Sequence, residues 1–184
     1  MGEMAKDEYC TFEEWMAMDE EPYMELIDGK LYLITSQTTV HQAVSREIMG
    51  PIWDFLRGKP CKIIVGPIGV RLNESEDTVL SPDIIVVCDK SKLTDEIIIG
   101  APDLVVEILS PSTAKKDRLI KFQKYQEAGV RELWYVDTDT NTVEVNLLEN
   151  GKYVKSMYGD EDVMKVAVLD GCEIDLKEVF TEEE

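Results

Sequence analysis

Apolar residues fall into two kinds of pattern along this chain: short continuous runs and one run with helical spacing. Residues 79–88 and 103–109 are mostly apolar, which is typical of strands that are buried on both faces of a sheet. From residue 39 to 56 the apolar positions recur every three to four residues, which predicts an amphipathic helix. Gly50-Pro51 lies inside that run and predicts a kink or an interruption of the helix.

Turn and cap signals predict the remaining elements. Asp28-Gly29 favours a type I′ turn, so residues 23–34 predict a β-hairpin. Thr11 and Glu14 have the spacing of a capping box, which marks the start of a short helix. The full set of further elements is a helix over 11–19, a strand over 62–72 with a bulge or bend at Gly66-Pro67, a helix over 113–128 ended by Gly129, a strand over 132–137, and a hairpin of 142–148 with 153–158.

The order of these elements predicts an α/β fold, more specifically an α+β mixed sheet. An α-β-β-β-α-β core carries helices on its faces, and the two hairpins add to it on the N-terminal and C-terminal sides. The length of 184 residues fits one domain that spans 1–184.

Composition indicates the cellular compartment. No apolar run approaches the ~20 residues that cross a bilayer. The acidic N-terminus has no hydrophobic signal core, so we expect a cytoplasmic protein with no membrane contact.

The chain has four cysteines, Cys10, Cys61, Cys88 and Cys172. They are dispersed and form no CxxC pair, which favours reduced thiols over disulfides or zinc ligands.

The net charge of −19 argues against nucleic acid as a partner, because phosphate binding normally requires a basic surface. Its distribution weakens that argument. Residues 1–28 carry ten acidic groups and one basic group, residues 159–184 carry ten and two, and the rest of the chain is nearly neutral. Contacts with a duplex are therefore expected from one basic helix, which bears Lys115, Lys116, Arg118 and Lys124, unless that helix is only an ordinary solvated surface.

Two carboxylates stand in strands that should be buried. Glu107 lies in the middle of the apolar run 103–109, and Asp83 lies in the run 79–88. An unpaired buried carboxylate costs several kcal/mol of desolvation, so each is expected to pair with a cation or to bind a metal. Neighbouring strands would bring the two together as a site for a divalent ion.

Lys121 is the third unusual charge. On a helical wheel of residues 113–128 it lies near the middle of the apolar, core-facing side, where a lysine needs a carboxylate partner. The partner is either Asp117, one turn earlier, or a carboxylate of the core. Asp83 and Glu107 with the backbone carbonyl of Ile108 suit Mg²⁺, with Mn²⁺ as an alternative, and Lys121 would then orient the attacking water.

The arrangement of Pro82-Asp83, Glu107 and a later lysine resembles the PD-(D/E)XK nuclease superfamily and, more narrowly, the Uma family of restriction-endonuclease-like proteins. The resemblance covers residues 11–180 and departs from the superfamily pattern at Leu109, where a lysine is usual. It rests on residues 23–29, His41, 81–83, 103–113, Asp117, Lys121, Tyr125, 128–130 and 132–137.

This resemblance implies a restriction endonuclease-like domain with short acidic termini and a Mg²⁺-dependent endonuclease acting on DNA. Asp83, Glu107 and Lys121 become its catalytic residues, with Asp83, Glu107 and Ile108 as metal ligands. In this family the lysine has moved from the strand to the following helix. A homo-oligomer, with a dimer favoured, is the expected assembly.

Weaker candidates remain open. Glu25 matches an acidic family position and is either an auxiliary site residue or an exposed hairpin charge. His41 either approaches the metal from the first long helix or is a hydrogen-bonding group at the helix N-terminus. Residues 137–141 resemble a calcium loop but lack its glycine, since Thr142 stands there, and are expected to form a turn. Trp53 and Trp134 are expected in the core.

Two readings compete with the nuclease. One is a binding or regulatory module that keeps the fold with weak or absent hydrolysis, which the acidic termini and the displaced lysine favour. The other is a structural dimer whose buried charges pair only with one another. Metal binding without cleavage would support the first, and stability that is independent of metal would support the second.

Overall fold

The computed structural model describes residues 4–6, 8–18, 23–34, 36–74, 77–109 and 115–181. The helices are α1 (Phe12–Met16), α2 (Thr39–Leu56), α3 (Lys115–Ala128) and α4 (Leu176–Phe180), with a 3₁₀ turn at Lys90–Lys92. The strands are β1 (Met4–Lys6), β2 (Met24–Ile27), β3 (Lys30–Leu33), β4 (Lys62–Val65), β5 (Val70–Arg71), β6 (Val79–Leu80), β7 (Ile84–Val87), β8 (Ile98–Ile99), β9 (Leu104–Leu109), β10 (Glu132–Asp137), β11 (Thr142–Glu149), β12 (Lys152–Gly159), β13 (Val163–Lys165) and β14 (Glu173–Asp175). No helix in the described ranges is long and apolar enough to cross a membrane.

Two six-stranded sheets organise the chain. The central sheet has the order β12-β11-β10-β9-β7-β4, and the second sheet has the order β1-β3-β2-β6-β5-β8. In the central sheet β9 and β10 are parallel, and the other neighbours are antiparallel. The expected α+β mixed fold is therefore confirmed, with both hairpins in their predicted places.

Strand β9 is covered on both faces, as its continuous apolar sequence predicts. Val106 packs in a cluster with Ile48 and Ile52 of α2. Val105 packs on the opposite face in a cluster with Tyr125 of α3. Glu107 alternates with its neighbours along β9 and therefore lies on the α3 face, two residues from Val105.

Two predicted strands each divide between the two sheets. The run 62–72 forms β4 in the central sheet and β5 in the second sheet, with a bend at Gly66-Pro67 as predicted. The run 79–88 divides in the same way into β6 and β7. The two crossings touch, because the Gly66 N–H donates to the Asp83 carbonyl at 2.8 Å and a Cβ on Gly66 would lie 2.6 Å from the Pro82 carbonyl oxygen.

Local signals describe most turns and caps correctly. Asp28 and Gly29 have φ values of 48° and 74°, as a type I′ turn requires. Thr11 and Glu14 form the predicted capping box at the start of α1. The predicted start of α3 at residue 113 lies outside the described residues.

Helix α2 has its predicted bounds. It continues from Thr39 to Leu56 with Pro51 inside, so of the kink or interruption predicted at Gly50-Pro51 the interruption is wrong. Ile48 and Ile52 are fully buried on either side of the proline. Packing of this apolar face compensates for the one backbone hydrogen bond that Pro51 cannot donate.

Trp134 is fully buried, as predicted, but Trp53 is 57% exposed, so its assignment to the core is wrong. Trp53 follows Ile52 directly in α2 and therefore projects about 100° away from the buried face. The helical periodicity places it on the solvent side.

The expectation that all cysteines are reduced is also wrong. Cys61 and Cys88 form a disulfide, whereas Cys10 and Cys172 are buried and keep their thiols reduced. Antiparallel pairing of Lys62 with Val87 places Cys61 opposite Cys88, one position beyond the ladder. Sequence spacing alone does not show this register.

We expect reducing agent to lower the free energy of unfolding by about 3 kcal/mol, because the disulfide closes a loop with a sequence separation of 27. Urea unfolding with and without reductant measures this change. The double variant Cys61→Ser with Cys88→Ser should not respond to reductant. Denatured, unreduced protein should titrate two thiols, and a count of four would contradict the pairing.

Candidate functional site

Asp83 lies at the crossing between β6 and β7, where the chain leaves the second sheet for the central sheet. Its Oδ2 accepts a hydrogen bond of 2.7 Å from the backbone N–H of Ile108. Its Oδ1 accepts one of 2.9 Å from Gln37 Nε2 and lies 3.0 Å from His41 Nε2. The carboxylate is therefore held against the end of β9 by groups on both sides.

Glu107 points from β9 toward helix α3. The residue is 9% exposed, and its Oε1 accepts a hydrogen bond of 2.6 Å from the Tyr125 hydroxyl. Lys121 Nζ lies 3.4 Å from the same oxygen. Because Tyr125 follows Lys121 by one helical turn, both donors approach from one face of α3.

Glu25 is brought into the site from β2 of the second sheet. It is 2% exposed, and its Oε1 accepts hydrogen bonds from Lys121 Nζ at 2.7 Å and from the Ser81 N–H at 2.8 Å. The reading of Glu25 as an exposed hairpin charge is therefore wrong. A core carboxylate is shown as a partner of Lys121, whereas the side chain of Asp117 is outside the described residues.

The site contains three carboxylates around one lysine ammonium group. The pKa of Glu107 is raised to about 7, chiefly by burial; Lys121 opposes this rise, Asp83 and Glu25 add to it, and the hydrogen bond from Tyr125 opposes it. Burial alone would lower the pKa of Lys121, but Glu107, Glu25 and Asp83 raise it above its ordinary value. Lys121 therefore remains charged, and the cluster has an excess of negative charge when all three carboxylates are ionised.

Helix α2 begins directly beside Asp83. The Thr38 hydroxyl caps it by accepting the His41 N–H, as expected for a hydrogen-bonding group at the helix N-terminus, and the His41 ring lies 3.0 Å from Asp83. The approach of His41 to a metal stays a prediction. His41 is buried, and its Nδ1 has no hydrogen-bond partner among the described residues.

Sequence reasoning did not assign roles to Gln37 and Tyr125. Tyr125 carried a signal, because it lies on the same side of the helical wheel as Lys121. Gln37 precedes α2 in an irregular segment, where no periodicity marks which side chains face inward. The calcium-like segment is a turn, as expected, with Asp137 Oδ1 accepting the N–H groups of Asp139 and Thr140.

The donor atoms fit a hard cation such as Mg²⁺. Asp83 and Glu107 offer carboxylate oxygens, and the Ile108 carbonyl lies on the same edge of β9 as the N–H that binds Asp83. The described residues contain no group of three His, Cys, Asp or Glu side chains that could hold an ion alone. Mg²⁺ usually binds one or two carboxylates and keeps several waters in its coordination shell. These residues are therefore compatible with such a site.

The basic helix is less available for DNA than its sequence predicts. Arg118 forms an ion pair of 2.6 Å with the buried Glu144, and Lys124 lies 2.6 Å from Asp28. The side chains of Lys115 and Lys116 are outside the described residues. Two of the four predicted phosphate contacts are thus already paired with carboxylates of this chain.

A family model described as "Uma2: Putative restriction endonuclease" matches residues 7–177. The chain belongs to the Uma2 family. The resemblance inferred from the motifs around Asp83 and Glu107 is therefore confirmed, and the three catalytic candidates all lie within the matched range.

Two known proteins are similar to this Uma2 chain over most of its length. An uncharacterized protein of Synechocystis sp. is 26% identical over 171 residues, which cover 93% of this chain and 84% of the relative. The crystal structure of a "putative nuclease belonging to DUF820" from Anabaena variabilis shares 22% identity and a TM-score of 0.76. That alignment covers 92% of this chain and 97% of the solved chain, and it shows that the fold is shared.

Proposed function

We propose that this Uma2 protein is a Mg²⁺-dependent endonuclease that hydrolyses phosphodiester bonds of DNA, with Mn²⁺ as an alternative metal. The observation that carries the proposal is that Glu25 and Glu107 pair with Lys121, while Asp83 binds the N–H of Ile108, the residue after Glu107. A buried site with more carboxylates than cations favours a divalent ion as its counter-charge.

Asp83, Glu107 and the Ile108 carbonyl would hold the metal. The bound ion would lower the pKa of a coordinated water and neutralise charge on the scissile phosphate. Asp83 is fixed for this task by the Ile108 N–H, Gln37 and His41. Tyr125 and Lys121 both bind Oε1 of Glu107, which orients the carboxylate.

Lys121 would orient the attacking water and stabilise the charge of the transition state. Glu25 holds the ammonium group at 2.7 Å and favours its charged form. Glu25 is thus a positioning residue that acts through Lys121. A homodimer remains part of this proposal.

A second candidate is a binding or regulatory module with the same fold. The ion pairs of Arg118 with Glu144 and of Lys124 with Asp28 favour it, because they reduce the positive surface offered to a duplex. Metal binding without cleavage would decide for this module.

Replacing Asp83 by asparagine tests the proposed function. Asp83→Asn keeps the shape and removes one ligand charge, so Mn²⁺ affinity and plasmid nicking should both fall by at least about 100-fold. Calorimetry and a nicking assay measure the two effects. The exposed turn variant Asp139→Asn is the matched control and should behave like the wild type.

Nicking that survives in Asp83→Asn at the wild-type rate would contradict the assignment of this residue. If the wild type binds Mn²⁺ but does not nick DNA, the chain is the regulatory module. If it binds no divalent ion at millimolar concentration, the buried charges only pair with one another.

A further inference from the structure

A cavity of about 480 Å³ is lined by residues of α1 and of the second sheet, and one lining residue, Ser81, bonds to Glu25 of the candidate site. This volume lies within the range of small-molecule sites, about 300–1,000 Å³. Trp15 of α1, with Tyr23 and Met24 at the start of β2, forms one side, and Leu80 and Ser81 lie on another. The metal site does not use these side chains.

The cavity and the candidate site share two stretches of backbone. Met24 lines the cavity and directly precedes Glu25 in β2, and the Glu25 side chain points to the opposite face of the strand. Ser81 lines the cavity, donates its N–H to Glu25 at 2.8 Å, and stands two residues before Asp83. Two residues of extended chain cover at most about 7 Å. A phosphate at Asp83 would therefore place the sugar and base of the same or the next nucleotide at the cavity mouth.

The chemistry of the walls favours a flat, uncharged aromatic ring. Two aromatic residues, Trp15 and Tyr23, lie among the lining residues with the methionines Met16, Met18 and Met24. Thioether sulfur makes favourable contacts with aromatic rings, and aromatic side chains provide surfaces on which bases stack.

The charges of the lining favour a base over a phosphate. Among the described residues that line the cavity there is no lysine, arginine or histidine, so an anion has no counter-charge there. Glu96 is the one carboxylate among the described lining residues. Its oxygens can accept hydrogen bonds from the exocyclic amino group of adenine, cytosine or guanine.

We propose that this cavity receives an unstacked nucleobase of the strand that is cleaved, next to the scissile phosphate. The preferred substrate is then single-stranded or locally unpaired DNA. The inference rests on the proposed nuclease function and deepens it. Stacking of a base would supply binding energy that the paired Arg118 and Lys124 do not supply through phosphates.

Short single-stranded oligonucleotides that carry 2-aminopurine test this inference. With the wild-type chain in metal-free buffer, the fluorescence of this base should change on binding. A matched oligonucleotide that is abasic at the same position should bind about 10-fold more weakly. Equal binding of the two oligonucleotides, or no binding of either at low salt, would overturn the proposal.

Variants of the cavity locate the base. Tyr23 is 48% exposed at the rim, so Tyr23→Ala should preserve the fold and weaken binding of the base-bearing oligonucleotide about 10-fold. Its affinity for the abasic oligonucleotide should not change. Trp53→Ala removes an exposed aromatic ring outside the cavity and is the matched control. If Tyr23→Ala binds as Trp53→Ala does, the cavity is not the base site.

Glu96→Gln is a second variant at an exposed position. It should reduce the preference for adenine over thymine oligonucleotides and leave thymine binding unchanged. An unchanged preference would contradict the role given to Glu96.

The outcome separates this inference from the proposed function. If the wild type nicks DNA and Tyr23→Ala does not weaken oligonucleotide binding, only the base site is contradicted. If binding depends on the base but the wild type does not bind Mn²⁺, the base site is supported and the metal-dependent reaction is contradicted.

Discussion

Lys121→Met is expected to lower the free energy of unfolding by about 3–5 kcal/mol, because it leaves Glu25 and Glu107 buried without their cation. Glu25 is 2% exposed, so solvent cannot replace the lost partner. Urea unfolding followed by circular dichroism in metal-free buffer at neutral pH measures the loss.

Lys124→Met is the matched control on the same helix. Lys124 pairs with Asp28, whose side chain is 62% exposed, so this variant should lose no more than about 1 kcal/mol. Adding Glu25→Gln to Lys121→Met should restore part of the stability, since one unpaired charge is removed. Equal losses in the two lysine variants would mean that Lys121 does not compensate the buried carboxylates.

Glu107→Gln is expected to change the pH dependence of stability. The pKa of Glu107 is raised from 4.5 to about 7 in the folded protein, chiefly by burial. Between these values the folded state keeps the proton that the unfolded chain has released. The wild type therefore loses about 3 kcal/mol of stability from this group as the pH rises through this window.

The glutamine variant cannot ionise, so this loss should disappear and its stability at pH 8 should equal or exceed that of the wild type. Urea unfolding from pH 5 to 8 in metal-free buffer checks the slope. In Glu107→Gln the free energy of unfolding should still fall with rising pH, but less steeply, because burial also raises the pKa of Glu132. A large loss of stability at pH 8 would show instead that ionised Glu107 is a net stabilising partner of Lys121.

The same variant should bind Mn²⁺ more weakly, because it removes a proposed ligand charge at nearly constant shape. Calorimetry at pH 8 provides this measurement. In the wild type, metal binding should also recover the stability lost at high pH, since the ion binds the ionised carboxylate. A metal-independent pH profile would argue against Glu107 as a ligand.

The carboxylates at the centre of the site could be predicted from local sequence. Glu107 and Asp83 are charges in apolar runs, and burial of such a charge demands compensation wherever the chain folds. Lys121 was found by the same reasoning on a helix. The structure brings all three together, with Lys121 Nζ 3.4 Å from Glu107 and Asp83 bound to the Ile108 N–H.

Glu25 could not be placed in this way. It stands in a short hairpin strand next to the tight turn at Asp28-Gly29, and such a local pattern fits an exposed charge as well as a buried one. Its burial follows from the crossing at Ser81, whose N–H binds it, and from Lys121 on α3. These contacts join parts of the chain that are 56 and 96 residues away from Glu25.

The sequence also did not show that two of the predicted strands divide between two sheets. Both halves of residues 79–88 are buried, so the apolar pattern continues across the change of sheet. Periodicity reports whether a side chain is buried, but it does not report which strand lies beside it.

The sequence by itself therefore determined the type of most elements and the charges that must be compensated, because these depend on short-range patterning and desolvation. The tertiary structure alone decided which carboxylates share Lys121, which cysteines face each other, and which residues line the cavity. Those features depend on strand register and on the meeting of two sheets, which no local stretch of sequence encodes.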